Sequence, residues 1–300
     1  MRPEEAARRR SLPYDERAAA GLLLPLGAVL TAVMVVPIVY SFWTSLFALN
    51  LRRPLRAPFV GLSNYVAALG NELFLAAVWR TVLFTLMSVV AVTILALLAA
   101  LLLDQRFPGR RIVSACLLIP WAIPSVANGL MWKWIYDANY GALNGVLLQI
   151  GAIGHGMTWL GNTDLTLPLI ANAFVWKEVP LAAILLLVNL KAIPADLHAA
   201  ARVDGAPAWQ RFRHITLPAL RPGFTLVAVY EAMVAVRHFD LFFLLTEGGP
   251  GNASDVVAWR IYVETFRNLN FGLGAAISYL LAIATLLMSY GFIRALAQRV

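Results

Sequence analysis

The stretch "HAAARVDGAPAWQRFRHITLP", His198 to Pro218, is polar, carries Asp204-Gly205 and two prolines, and sits in a chain that is otherwise mostly apolar. Pro194 fits the first turn of a helix, and Asp196 adds negative charge near its N-terminus. Leu197 to Val203 is alanine-rich and favours helix. Asp204-Gly205 breaks that helix, because glycine readily takes a positive φ. Pro207 then opens a second helix, on which Trp209, Phe212 and Ile215 form an apolar edge among Arg202, Arg211 and Arg213. Pro218 and Pro222 close the unit. A helix-turn-helix this small cannot bury its own apolar edge. Two readings stand: an interfacial helix on lipid headgroups, or a helix inserted into a partner's groove.

The surroundings decide what kind of chain carries this unit. Of 300 residues, 60% are hydrophobic and only 13% charged, with a mean hydropathy of +0.73. A soluble domain of this size needs more charge to cover its surface. Several apolar runs exceed the roughly 20 residues that cross a bilayer, so the expected fold is all-α and polytopic. Six spans are expected, at about 18–47, 76–103, 112–136, 165–190, 222–247 and 272–297, after a tail at 1–17. The first run is too long for a signal peptide and lacks a small-residue cleavage site, so it counts as a span. As one helix it reaches roughly 45 Å and must tilt or protrude. Pro25, Pro37, Pro120, Pro124, Pro168 and Pro180 fall inside spans. Proline there suits either a lined path or packing. The single cysteine, Cys116, excludes an internal disulfide and a multi-cysteine metal site.

The net charge of +8 is arginine that marks cytoplasmic loops, not a nucleic-acid surface. With the N-terminus inside, the inner segments hold fifteen arginines and lysines, including Arg2, Arg8, Arg9, Arg10 and Arg299, and the outer ones hold five. Both termini are therefore expected in the cytoplasm, and 191–221 becomes the largest inner loop. Arg52, Arg53 and Arg56 are a local exception on the outer side.

Polar groups also lie inside the spans. The fourth carries Asn172, Trp176, Lys177 and Glu178, and the fifth carries Tyr230, Glu231, Arg237, His238 and Asp240. Charge at membrane depth is costly and faces a cavity or a partner. Asn172 and Trp176 share a helical face. So do Glu231, Val234 and His238, and likewise Tyr230, Val234 and Arg237. Structural pairing, Lys177 with Glu231 or Glu178 with Arg237, is one reading, and a solute site is the other. Trp132, Trp176 and Tyr230 offer aromatic faces. His155, His198 and His214 have no ligand set around them.

The spacing of the opening stretch resembles the EAA loop of ATP-binding-cassette importer permeases: Glu-Ala-Ala, three residues, Gly, nine residues, Ile-x-Leu-Pro. Ala200, Ala201, Gly205, Ile215, Leu217 and Pro218 match in register, and Ala199 stands where the family has its glutamate. "Phe59-Val-Gly-Leu-Ser-Asn-Tyr65", "Ile119-Pro-Trp-Ala-Ile-Pro124", "Met131-Trp-Lys-Trp-Ile-Tyr136" and "Gly141-Ala-Leu-Asn144" are similar to the carbohydrate-uptake branch, in the six-span form of the maltose-importer first permease. "Phe239-Asp-Leu-Phe-Phe-Leu-Leu-Thr-Glu-Gly-Gly-Pro250" and "Phe271-Gly-Leu-Gly-Ala-Ala-Ile-Ser278" extend the likeness over roughly 18–297.

That resemblance implies a transmembrane domain at 18–297. Its 191–221 loop, with Ala199, Ala200, Ala201, Asp204, Gly205, Trp209, Phe212, Ile215, Leu217 and Pro218, would couple to an ATPase. It implies solute contacts near Met233, Arg237, His238 and Asp240, beside Asn172, Trp176, Lys177 and Tyr230. It also implies partners: a second permease, two ATP-binding subunits that hold ATP and magnesium, and an extracytoplasmic binding protein. The setting it implies is a bacterial inner membrane. The chain has three lysines, Lys133, Lys177 and Lys191, and none follows a glycine. No P-loop is therefore possible, and no zinc-protease or serine-elbow motif occurs, so no catalytic activity or cofactor is expected of this chain alone. An importer for an anionic solute such as glycerol phosphate remains an alternative. An ion-coupled carrier fits less well, because no inverted repeat is visible.

Overall fold

A computed structural model describes residues 13–53 and 56–297. Arg2, Arg8, Arg9, Arg10 and Arg299 lie outside the described residues. Regular structure among the described residues is helical, with two isolated bridges, Phe47 with Phe59 and Asn50 with Asn270. In chain order the helices are α1 (Pro13–Leu30), α2 (Val36–Ser45), α3 (Ser63–Leu69), α4 (Glu72–Asp104), α5 (Arg110–Ala122), α6 (Ser125–Ile135), α7 (Ala142–Gln149) and α8 (Thr163–Lys191). They continue as α9 (Ala195–Val203), α10 (Ala208–Arg211), α11 (Leu217–Ala219), α12 (Arg221–Val236), α13 (Asp240–Leu245), α14 (Val257–Tyr262) and α15 (Phe271–Ala297). Among the described residues four helical stretches are long and apolar enough to cross a membrane, or up to six if each of two bent helix pairs counts as one span.

Helix α8 is the centre. Its buried residues, from Thr166 to Leu190, fall on every side, and Pro168 and Pro180 leave it continuous. Against it lies α4, whose buried residues Ala77, Thr81, Phe84, Ser88, Val92, Ala96 and Ala100 form one stripe at steps of three and four. Small side chains in that stripe let the two backbones approach closely, the usual basis of helix association in lipid. Phe84 packs edge-on against Phe174 and Phe242 at 5.5 and 4.9 Å, joining α4, α8 and α13. Both long helices start on asparagine caps. Asn71 Oδ1 accepts from the Leu73 and Phe74 amides, and Asn162 Oδ1 from those of Asp164 and Leu165. Each cap satisfies two of the amides a helix N-terminus leaves free.

Helix α1 begins at Pro13, and the stretch apolar enough to cross a membrane runs Leu23–Ser45. A single π-turn, Thr31–Val35, joins α1 to α2 just before Pro37. Residues 23–40 are exposed apart from their own neighbours. Contact with the body comes at the end near α3, where Phe42 meets Tyr279 at 5.4 Å and the Tyr279 hydroxyl donates to the Ile38 carbonyl.

Two expected spans are interrupted. The third bends by 97° between α5 and α6. Ile123 is extended there, because a residue before proline is pushed out of the helical region. The fifth, expected as continuous over 222–247, ends at Val236. Arg237, His238 and Phe239 break it before the short α13. At its other end Pro218 and Pro222 do not close the loop. The chain stays helical through a π-turn, Phe212–Thr216, and α11, then bends by 58° at Leu220 into α12.

Candidate functional site

The two interruptions meet. Helix α13 packs along α6, and the approach is close because residue 129 is glycine: a Cβ there would lie 2.6 Å from Leu244 Cδ1. Behind this contact, Asn128 is buried on α6 and its Nδ2 donates to the Ala173 carbonyl of α8 at 3.2 Å.

An aromatic corner forms where α6 faces α8. The Trp132 ring meets Trp176 edge-on at 5.9 Å and Tyr136 at 5.1 Å. Asn172 Nδ2 donates to the Tyr136 hydroxyl at 2.9 Å. Asn172 and Trp176 do share a face, as their spacing of four dictates. Tyr136 and Asn128 were missed as site residues by the sequence reading. Their polarity gave a signal, but their contacts are with residues some forty positions away.

Helix α12 brings different neighbours. Because it ends at Val236, His238 lies past its end and does not continue the face of Glu231 and Val234. It packs instead against Phe174, edge-on at 5.1 Å. Tyr230 and Met233 are half-buried on α12, and Asp240 opens α13. Neither expected ion pair forms. Lys177 pairs with its neighbour Glu178 at 3.7 Å, Glu231 is fully buried, and Arg237 is exposed. Several buried polar atoms have no hydrogen-bond partner among the described residues: both Glu231 oxygens, Asn128 Oδ1, Trp132 Nε1 and His238 Nε2. Groups of this kind ask for a polar partner.

At the end holding the 191–221 loop, α9 closes in a Schellman motif. The Gly205 amide donates to the Arg202 carbonyl at 3.1 Å, and the Ala206 amide to the Ala201 carbonyl at 2.9 Å. Gly205 has φ +76°, the left-handed conformation this cap requires. Pro194 and Pro207 each sit one residue before their helix. Trp209 stacks on Phe212 at 5.7 Å yet stays 66% exposed, and Val203 is 87% exposed. Ala200 and Leu217 are exposed, while Ala199, Ala201, Ile215 and Pro218 are half-buried.

The opposite end is held by side chains that the sequence did not announce. Asn144 is a clasp. Its Oδ1 accepts from the Trp159 indole and the Met157 amide, and its Nδ2 donates to the carbonyls of Asp137, Ala138 and Met157. The Asn139 and Tyr140 amides donate to the Asp137 carboxylate and hold it below the ordinary carboxylate range. The Gly248–Gly251 turn is pinned by Ser254, whose hydroxyl donates to the Gly249 carbonyl at 2.6 Å. Asp255 beside it is paired with Arg260; burial pushes its carboxyl up while the Arg260 guanidinium pulls it down.

The chain resembles known proteins over nearly its whole length. Residues 74–300 match the family described as binding-protein-dependent transport system inner membrane component. A trehalose/maltose transport system permease protein, MalF, of Thermococcus litoralis is 38% identical over 260 residues, 86% of each chain. A sulfoquinovosyl glycerol transport system permease protein, SmoG, of Agrobacterium fabrum is 32% identical over 286 residues, 95% of this chain and 92% of that one. A bacterial alginate ABC transporter, solved in complex with an alginate pentasaccharide-bound periplasmic protein, contains a chain of the same fold, with a TM-score of 0.80, 20% identity and 93% of both chains covered. With span-length apolar helices, two of its spans broken and an exposed helix-turn-helix, the chain is a membrane-embedded transport permease. It belongs to the binding-protein-dependent transport system inner membrane component family.

Proposed function

We propose that this chain is one permease subunit of an ATP-driven importer for a sugar or sugar-like solute. The observation that carries the reading is the exposed apolar edge of the 191–221 loop. Trp209 and Val203 project from a capped helix-turn-helix and are not covered by any of the described residues, as a helix waiting for a groove would be. Two ATP-binding subunits would supply that groove, one to this loop and one to the matching loop of a second permease. They would hold ATP and magnesium, whose chemistry is phosphoryl transfer outside this chain. A binding protein would deliver solute to the opposite face, as the relatives' family description supports. The setting is a bacterial inner membrane with both termini in the cytoplasm, which the arginine distribution supports.

The sugar assignment draws on the relatives, one named for trehalose and maltose and one for sulfoquinovosyl glycerol. It also draws on the corner itself. Trp132, Trp176 and Tyr136 give aromatic faces, and unpartnered polar atoms of Trp132, Asn128, Glu231 and His238 lie near the broken spans. Hydroxyl groups of a sugar both donate and accept, and so answer such a mixed set. Asn172, Trp176, Lys177, Tyr230, Met233, Arg237, His238 and Asp240 are the proposed contacts. Alternating access would follow from ATP-driven closure of the two ATPases, which pulls the coupling loops together.

Co-purification is the test. The tagged chain should bring down a second permease and ATPase subunits, and vesicles holding the complex should accumulate sugar only with ATP and the binding protein. Accumulation driven by an ion gradient without ATPase subunits would refute the reading.

A further inference from the structure

We propose that residues 46–71 form an interfacial element: α3 lies on the bilayer, and Arg52, Arg53 and Arg56 beside it hold the headgroups of anionic phospholipids. This goes beyond the importer reading and does not depend on which solute is carried.

The level of the segment is set by the span that leads into it. Leu23–Ser45 is 23 residues long and apolar enough to cross, and a helix of that length rises about 34 Å, close to the thickness of a hydrocarbon core. Trp43 is exposed in the last turn of α2 and is a residue type enriched at headgroup level. The chain thus leaves the hydrocarbon at about Ser45. The next span, α4, begins at Glu72, with Leu73 and Leu75 exposed in its first turn.

Between the two spans α3 is fastened to the end of the first. Asn64 Nδ2 donates to the Ser45 and Phe47 carbonyls at 2.8 and 2.9 Å, and the Tyr65 and Ser45 hydroxyls share a hydrogen bond of 2.7 Å. Ala68, on the same side of the helix as Asn64 and Tyr65, is buried. A second face carries Leu62, Val66 and Leu69, spaced by four and three, and they are 64%, 70% and 53% exposed. Phe59, just before them, is exposed as well. An apolar face held in place beside a span end is the arrangement of a helix lying in the membrane interface.

The arginines are tied to the same place. Asn50 bridges to Asn270, the Leu51 amide donates to the Leu269 carbonyl at 2.9 Å, and the Gly272 amide donates to the Leu49 carbonyl at 3.1 Å. A Cβ on Gly272 would collide with the Phe47 carbonyl oxygen and lie 3.1 Å from Asn64 Nδ2, so the start of α15 holds the arginine loop and α3 together. Arg52 donates to the Arg267 carbonyl at 3.2 Å, and all three arginines are exposed. Among the described residues none of the three makes an ion pair, and residues 46–71 contain no Asp or Glu. Unpaired cations next to an exposed apolar face complement an anionic headgroup above its acyl chains. A soluble partner with an acidic face would satisfy the arginines, yet would leave Leu62, Val66 and Leu69 facing water each time it departed.

The experiment uses the intact permease complex. Val66→Cys in a Cys116→Ser background takes a nitroxide label, with the Cys116→Ser complex as the labelling control, in vesicles of phosphatidylcholine and phosphatidylglycerol. Oxygen, which partitions into lipid, should relax the label more than a water-soluble nickel chelate does. Stronger relaxation by the chelate, or shielding from both, overturns the seating, and shielding would put another subunit over α3. Photoactivatable phosphatidylglycerol and phosphatidylcholine are then titrated into the detergent-solubilised complex, and the lipid adduct on residues 46–71 is measured by peptide mapping. Each arginine near the surface strengthens anionic-lipid binding about fivefold. Arg52→Gln, Arg53→Gln and Arg56→Gln together should therefore weaken the phosphatidylglycerol adduct on the order of 100-fold and leave the phosphatidylcholine adduct within about twofold. The three lysine substitutions should keep most of the preference. If the triple glutamine complex does not assemble, the single variants decide, at about fivefold each. A phosphatidylglycerol adduct unchanged by glutamine, or equal loss of both adducts, overturns the headgroup role. Salt-sensitive loss of stimulation by the binding protein with an unchanged lipid preference also overturns it, and assigns the arginines to an acidic protein surface.

Discussion

Replacing Gly205 separates backbone strain from lost contact more cleanly than any other change in the chain. Its φ is +76°, and a Cβ built there meets nothing within 4 Å. A side chain at 205 therefore collides with no atom of this chain, and its cost is conformational. Left-handed backbone costs an ordinary residue about 1–2 kcal/mol, with β-branched side chains at the upper end and asparagine well below it. Gly205→Val should cost about 2 kcal/mol, Gly205→Ala about 1 kcal/mol and Gly205→Asn a few tenths. At 1.4 kcal/mol per decade, the properly capped loop would fall about 30-fold, about 5-fold and less than 2-fold, respectively. The assay is retention of ATPase subunits on the tagged permease under dilution, with solute-stimulated ATP turnover measured in parallel. The spans should insert normally in all three variants, since the change lies outside them. The order Asn above Ala above Val is the signature. Equal damage from Asn and Val would mean that the docking surface itself excludes a side chain, and wild-type behaviour of Val would mean that the Schellman turn is not needed for coupling.

Trp209→Ala should release the ATPases, because exposed tryptophans at docking edges contribute about 2 kcal/mol or more, whereas Ala199→Glu should improve retention by less. A complex that survives Trp209→Ala in a pull-down assigns the edge to lipid headgroups instead. Thr81→Val removes the hydroxyl that accepts the Val257 amide at 3.0 Å and leaves a buried N–H unpaired, at about 1–3 kcal/mol; a detergent melting temperature equal to wild type would contradict this. Asp137 is held below its ordinary value by the Asn139 and Tyr140 amides, so its contribution is present above the unfolded value and is lost as pH falls through the folded one. Amide exchange at Asn139 and Tyr140, corrected for intrinsic rate, should speed up on acidification in wild type and show no such dependence in Asp137→Asn.

Much of the fold was legible. Long apolar runs announce spans because lipid offers the backbone no hydrogen bonds, and only helix satisfies it locally. The first part of the 191–221 loop, through the turn at Gly205 and the helix start after Pro207, was legible, whereas its helical continuation past Pro218 was not. Its turn depends on Asp204-Gly205 and its helices on two prolines, all of them local chemistry. The break after Val236 was not. Nothing between Ala235 and Asp240 is a proline or glycine, and the heptad spacing of Glu231 with His238 looked helical. The Lys177–Glu231 and Glu178–Arg237 pairings failed for a related reason. They assumed depth was enough, while the facing of each helix put Glu178 beside Lys177 and turned Arg237 away.

By itself the sequence determined that the chain is all-helical with several span-length apolar helices, the turn at Gly205, the exposed Trp209 edge and the absence of a P-loop, because each rests on hydropathy or on a few consecutive residues. Only the tertiary structure decided where two spans break and which polar groups meet there. Asn172 reaches Tyr136 across 36 positions, and Gly129 matters because Leu244 fills the space its missing side chain leaves. Contacts of that kind depend on how whole helices lie against one another, and helices in lipid are set by close packing of small surfaces rather than by any pattern a single helix displays.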